Sequence, residues 1–127
     1  MKNKKFATCI NCIDGRTQEP VTTFLKRRLR VDFIDMITEP GPDKILAENK
    51  DRRLIASIKR RARISLEQHH SNTIVIVGHA DCVGNPVNKA QHLHHIRKSI
   101  HAIRCWGVEA SIFGLWVTRC LQVEKIP

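Results

Sequence analysis

Apolar positions along the chain alternate between two rhythms. The first compact stretch, Phe6-Ala7-Thr8-Cys9-Ile10-Asn11-Cys12, is followed by Asp14-Gly15, the pattern of a strand closed by a turn. Val21, Phe24, Leu25, Arg28 and Leu29 then recur at helical spacing, with Pro20 where a first helical turn tolerates a missing N–H. Residues 31–37 return to strand character, apolar on both faces except for Asp32 and Asp35, and Glu39-Pro40-Gly41-Pro42 breaks the chain after them. A long helix is predicted over 48–69, where Leu54, Ile55, Ile58, Ala62 and Leu66 line one side and basic residues the other. Residues 73–77 are β-branched throughout, too few for a helix, and bounded by Ser71-Asn72 and Gly78, which makes them the clearest strand. A helix over 88–104 turns Leu93, Ile96, Ile100 and Ile103 to one face, and 108–117 forms a last strand interrupted by Gly114.

The order β-α-β-α-β-α-β, with helix-length crossovers, predicts an α/β fold: a mostly parallel sheet of about four strands with helices on both faces. If the second strand lies on one side of the first and the third on the other, a crevice opens at the carboxyl ends of strands one and three, where such sheets bind ligands. No internal repeat or Gly/Ser linker divides the 127 residues, so one domain over 1–127 is expected.

Composition narrows the class. Hydrophobic residues at 42% and charged residues at 27% fit a soluble globular protein, and no apolar run approaches the roughly 20 residues of a membrane span. Met1-Lys2-Asn3-Lys4-Lys5 leads into no long apolar stretch, so no secretory signal is expected and the cytoplasm is the default location. The 22 basic residues against 12 acidic ones, a net +10, invite a nucleic-acid partner. Yet the charge falls in two runs, Lys26-Arg27-Arg28-Leu29-Arg30 and Lys59-Arg60-Arg61-Ala62-Arg63, that suit solvated helix faces. Aromatics are only 5% and no zinc-finger, RNA-recognition or KH pattern is present, which argues against nucleic acid.

Five cysteines is an odd number, and in a cytoplasmic chain they are expected as thiols, metal ligands or small buried apolar groups. Cys12-Ile13-Asp14-Gly15-Arg16 follows strand one, and His79-Ala80-Asp81-Cys82 follows strand three. Those are the two strand ends that border the predicted crevice. Two thiolates and an imidazole suit Zn2+, with a fourth place left for water or for Asp14.

The pair Cys-x-Asp-x-Arg and His-x-x-Cys resembles the zinc site of the β-class carbonic anhydrases. The likeness continues through Ser57-Ile58, the Ile74-Val75-Ile76-Val77 strand and Phe113-Gly114-Leu115-Trp116, and so covers residues 6 to 123. It implies that Cys12, His79 and Cys82 hold zinc, and that a zinc-bound water loses a proton and attacks CO2 reversibly to give bicarbonate. Asp14 would accept a hydrogen bond from the hydroxide and aim it, while Arg16 keeps Asp14 ionised and in place. Breaking that pair would let Asp14 swing onto zinc as a fourth ligand; the family shows both arrangements. The resemblance further implies a homodimer or larger homo-oligomer, with CO2 or bicarbonate as the small-molecule partner and no membrane.

Two segments depart from the family pattern. Thr38-Glu39-Pro40-Gly41 stands where Arg-Asn-Ala-Gly is common, and Val83-Gly84-Asn85-Pro86 replaces the glycines usual after the last ligand. The leading helical arm that usually wraps a partner subunit is also not expected. These changes keep two other functions open: hydrolysis of carbonyl sulfide at the same metal, and a non-catalytic basic module with structural zinc.

Cys9 could complete a closed four-ligand site with Cys12, His79 and Cys82, but residues three apart on a strand point to opposite faces, so Cys9 is expected to turn away. Cys105 and Cys120 are expected as packing or partly exposed thiols. His92, His94, His95 and His101 are expected as solvated helix residues, although a spacing such as His92 to His95 also suits weak metal binding or proton passage. Asp81 is expected to brace its loop.

Overall fold

The computed structural model describes residues 3–127. Its elements are β1 (Phe6–Cys12), α1 (Gln18–Leu29), β2 (Phe33–Glu39), α2 (Pro42–Glu48), α3 (Arg52–Gln68), β3 (Thr73–His79), α4 (Lys89–Arg104), β4 (Ser111–Val117) and β5 (Val123–Lys125). The strands form one sheet in the order β2-β1-β3-β4-β5, parallel except for β5 against β4. β2 and β3 therefore lie on opposite sides of β1, and the expected crevice falls between the carboxyl ends of β1 and β3.

Alternation along the central strands supplies two cores. Ile10, Ile74 and Ile76 face one side, where Ile58 and Ala62 of α3 and Ile96 and Ile103 of α4 cover them. Cys9, Val75, Val77 and Leu115 face the other, beneath Val21 and Leu25 of α1. Each enclosed Ile or Leu contributes about 2 kcal/mol from burial. Gly114 interrupts the predicted last strand because α4 crosses it closely: a Cβ there would stand 2.3 Å from Ile96 Cγ2. Strand pairing continues through it, opposite Ile76.

Several boundaries differ from expectation. The predicted 48–69 helix starts at Arg52, where Asp51 caps it by accepting from the Leu54 N–H at 3.1 Å. The chain before it holds the separate α2, entered by Gly41 in the left-handed region and Pro42 at the first helical turn. Seven residues display too little periodicity for that helix to be recognised beforehand. β2 begins at Phe33 rather than residue 31, because Asp32 turns back to accept from the Lys5 N–H at 2.8 Å. Instead of being buried on both faces, β2 is an edge strand with Phe33 exposed and most of its residues half-buried. β3 extends two residues further, to His79, and β4 starts at Ser111 instead of 108. The three-residue β5 was not expected; it pairs with Leu115, Trp116 and Val117 and gives the sheet a fifth strand. Among the described residues no helix is long and apolar enough to cross a membrane.

Candidate metal centre

Cys12 ends β1 and His79 ends β3, and Cys82 lies one short turn beyond. All three are buried at 3% exposure, and their donor atoms lie within 4.8 Å of one another. The two sulfurs are 3.9 Å apart. A tetrahedral ion with Zn–S bonds of about 2.3 Å places its thiolates about 3.8 Å apart, so this spacing fits zinc. His79 Nδ1–H donates to the Ala80 carbonyl at 2.7 Å, and its Nε2 is buried without a hydrogen-bond partner. A ring nitrogen kept free in this way, its tautomer set by the other nitrogen, is what a metal ligand requires. The residues therefore fit the ion that their donor chemistry implies.

The two loops that carry the donors are held from several sides. Asn11 Oδ1 accepts from the Cys12 N–H at 2.8 Å, and Gln18 Nε2 donates to the Cys12 carbonyl at 2.7 Å. The backbone N–H groups of Gly41 and Asp14 stabilise the Cys12 sulfur, and that of Asn85 the Cys82 sulfur. Gly41, at φ +63°, lies directly against Gly84: a Cβ on Gly41 would come 2.7 Å from the Gly84 carbonyl carbon. The two segments that departed from the family pattern thus pack against each other beside the donors. Glu39, in the first of them, is held by Arg61 of α3.

Electrostatics follow from this crowding. Hydrogen bonding to Cys82 lowers the pKa of Cys12, while sharing with Cys12 and burial push Cys82 up, so one proton leaves the pair readily and the second is retained. Burial works to lower His79, but the closeness of the Cys12 sulfur, the Ala80 carbonyl and the Cys12 charge outweigh it and raise the imidazole. Arg16 holds Asp14 at about 2 through side-chain hydrogen bonds.

Asp14 lies outside the donor group, with Arg16 Nη2 donating to its Oδ2 at 2.7 Å and Nε to its Oδ1 at 3.1 Å. Of the two arrangements left open by the sequence, this is the paired one. Arg16 Nη2 also reaches the Asp81 carbonyl at 3.4 Å, and Asp81 Oδ1 pairs with Arg119 at 3.3 Å, so Asp81 braces its loop as expected. Cys9 turns away into the core under α1, where burial pushes its thiol up. Cys105 and Cys120 are exposed.

The histidines of α4 correct one expectation. His94 and His101 are exposed and His95 is half-buried, but His92 is completely enclosed, bonded to Asp43 and packed against Trp116 at 5.2 Å between ring centroids. His92 shares its helical stripe with Ile96, Ser99 and Ile103, a spacing visible in the sequence. Asp43 and Asn85, buried with it, carried no comparable signal. Beside Cys82 a cleft of about 760 Å3 opens between Val83, Pro86, Val87 and Trp116, with Lys89 and Arg119 also lining it.

The family described as "Putative carbonic anhydrase" matches residues 2–127. No curated protein matches the chain in sequence. Among solved structures, the β-carbonic anhydrase CafD of Aspergillus fumigatus superposes with TM-score 0.66 at 14% identity, over 100% of this chain and 91% of that one. A carbonic anhydrase from Glaciozyma antarctica gives 0.61 at 16% identity, over 94% and 81%. A tetrameric β-carbonic anhydrase of Sordaria macrospora gives 0.51 at 13% identity, over 97% and 80%. At these identities the likeness is one of fold.

Proposed function

Because this chain belongs to the family described as "Putative carbonic anhydrase", we propose that it is a zinc lyase that hydrates CO2 reversibly to bicarbonate, with Cys12, His79 and Cys82 as metal ligands and Asp14 and Arg16 as the catalytic pair. The observation that carries this reading is the meeting of the three donors within 4.8 Å at the crevice between β1 and β3. Zinc bound there would supply the Lewis acidity that brings the pKa of a water toward neutrality.

The chain's own residues would do the rest. Asp14, kept ionised by Arg16, would accept a hydrogen bond from the attacking water and so turn the water's lone pair toward the carbon. Arg16 holds the carboxylate away from the donor group, so that the fourth side of the site stays available. The apolar walls of the cleft beside Cys82 suit an uncharged substrate, and the cations at its edge suit an anionic product. Two thiolates deliver more negative charge to the ion than two imidazoles, so activity should rise toward alkaline pH. Self-assembly into a homodimer or larger oligomer belongs to the same reading, supported by the tetramers of the Sordaria relatives.

Metal analysis combined with a stopped-flow hydration assay tests the proposal. The expected result is one zinc per chain, with hydration in wild type and a fall of roughly 10–100-fold in Asp14→Ala at unchanged zinc content. Stoichiometric zinc with hydration no faster than buffer would reject the activity, and full activity in Asp14→Ala would reject the role given to that residue.

A further inference from the structure

One buried polar cluster has no part in the reaction as proposed. Asp43, in the first turn of α2, is 1% exposed, and His92 of α4 is fully enclosed. His92 Nδ1–H donates to Asp43 Oδ2 at 2.6 Å, and Asn85 Nδ2 donates to the same oxygen at 3.1 Å. The second amide hydrogen of Asn85 reaches His95 Nδ1 at 2.9 Å, and Ser99 Oγ donates to the Asp43 carbonyl at 2.9 Å. A carboxylate removed from water costs several kcal/mol unless hydrogen bonds replace its hydration. At Oδ2 the replacements come from two different elements, α4 and the 82–88 segment, while Oδ1 is buried without a hydrogen-bond partner.

Those bonds tie together the loops that flank the metal centre. Asp43 stands two residues after Gly41, and Asn85 stands three after Cys82 and one after Gly84. Gly41 and Gly84 are already in backbone contact. The Asp43–Asn85 bond closes the same seam from its buried side. Resting on the zinc reading above, we propose that Asp43, held by His92 and bonded to Asn85, is a positioning residue that locks the 40–42 and 82–86 segments together and thereby fixes the spacing of the Cys12 and Cys82 sulfurs. Asp43 touches no donor atom; it acts through Asn85. The spacing matters because a tetrahedral ion accepts only a narrow sulfur–sulfur distance, and ligands held at that distance beforehand lose less freedom on binding. The backbone N–H groups that serve the two sulfurs belong to Gly41, Asp14 and Asn85, so loosening the seam would also withdraw hydrogen bonds from both thiolates.

Two measurements on the full chain test this: zinc affinity by competition with a chromophoric chelator, and the thiolate-to-metal charge-transfer band of the Co2+-loaded protein. Asn85→Ala and Asp43→Leu are expected to weaken zinc roughly 10–100-fold and to shift the cobalt band. Asp43→Asn, whose amide oxygen can stand in for Oδ2 toward both donors but carries no charge, should recover part of both. Ser65→Ala serves as the control: it breaks the buried Thr8–Ser65 bond of 2.6 Å on another part of the sheet and should lower Tm without moving affinity or spectrum. If Asp43→Leu does not fold, Asn85→Ala and Asp43→Asn carry the test. Folded variants with wild-type affinity and an unshifted band would overturn the positioning role. Wild type that takes up neither zinc nor cobalt would overturn the zinc reading and this one together. Wild type that binds zinc without hydrating CO2 would overturn the enzyme alone, because affinity and spectrum still decide the role of Asp43.

Discussion

Two aspartates beside the candidate metal centre make contacts of near-equal length and live in opposite surroundings. Asp14 meets Arg16 at 2.7 Å, with side-chain exposures of 18% and 57%. Asp43 meets His92 at 2.6 Å, at 1% and 0%. The exposed pair can open at little cost, because water replaces each bond it loses, and a group that has to move or meet a substrate belongs there. The enclosed pair has no such substitute, so it holds its geometry and whatever is bonded to it. The candidate site thus has one carboxylate partly open to solvent and another enclosed behind its loops.

The largest effect should come from removing what both pairs flank. Cys82→Ala leaves one thiolate and one imidazole, and metal analysis should find zinc well below stoichiometric. Next in size, His92→Ala strands the Asp43 carboxylate and should cost about 3–5 kcal/mol of unfolding free energy, read from urea denaturation. A loss under about 1 kcal/mol would erase the contrast between the two pairs. Arg16→Gln should do the converse, changing stability by no more than about 1 kcal/mol while hydration falls about tenfold.

The smallest effect sharpens the same contrast for a thiol. Burial raises the Cys9 pKa in the folded protein above its ordinary 9.0. Above pH 9 the unfolded chain loses that proton while the folded chain keeps it, so the unfolded state binds fewer protons and stability falls as pH rises. Below pH 9 this contribution is fully present. Urea midpoints of wild type and Cys9→Ala, compared between pH 8 and pH 10, should converge toward the alkaline end.

Much of the site was legible because its residues stand next to strong local signals. Cys12 closes a seven-residue strand and His79 ends the strand that starts at Thr73, so strand periodicity put both at or just after strand ends, and the sheet order β2-β1-β3 brings those ends to one crevice. Cys9 was correctly turned away by the same alternation. Asp43 and Asn85 were not legible, since each follows a Gly-Pro or Val-Gly segment that predicts only a turn. His92 was misread because three neighbouring histidines suggested a solvated stripe, although its spacing to Ile96, Ser99 and Ile103 places it inside. Short elements also escaped: α2 has seven residues and β5 three, too few for a period to repeat.

By itself the sequence determined the alternation of strands and helices, the mostly parallel sheet and the two turns that carry the sulfur and nitrogen donors. All of these follow from through-chain periodicity, which each segment carries regardless of its neighbours. Only the tertiary structure decided that Asp14 pairs with Arg16 instead of joining the donors, that the two sulfurs stand 3.9 Å apart, and that Asp43, Asn85 and His92 share one buried cluster. Those outcomes depend on which polar groups lose water and which partners then replace it. That is a property of space rather than of chain order, and it is settled when the loops at 40–42 and 82–86 close against each other.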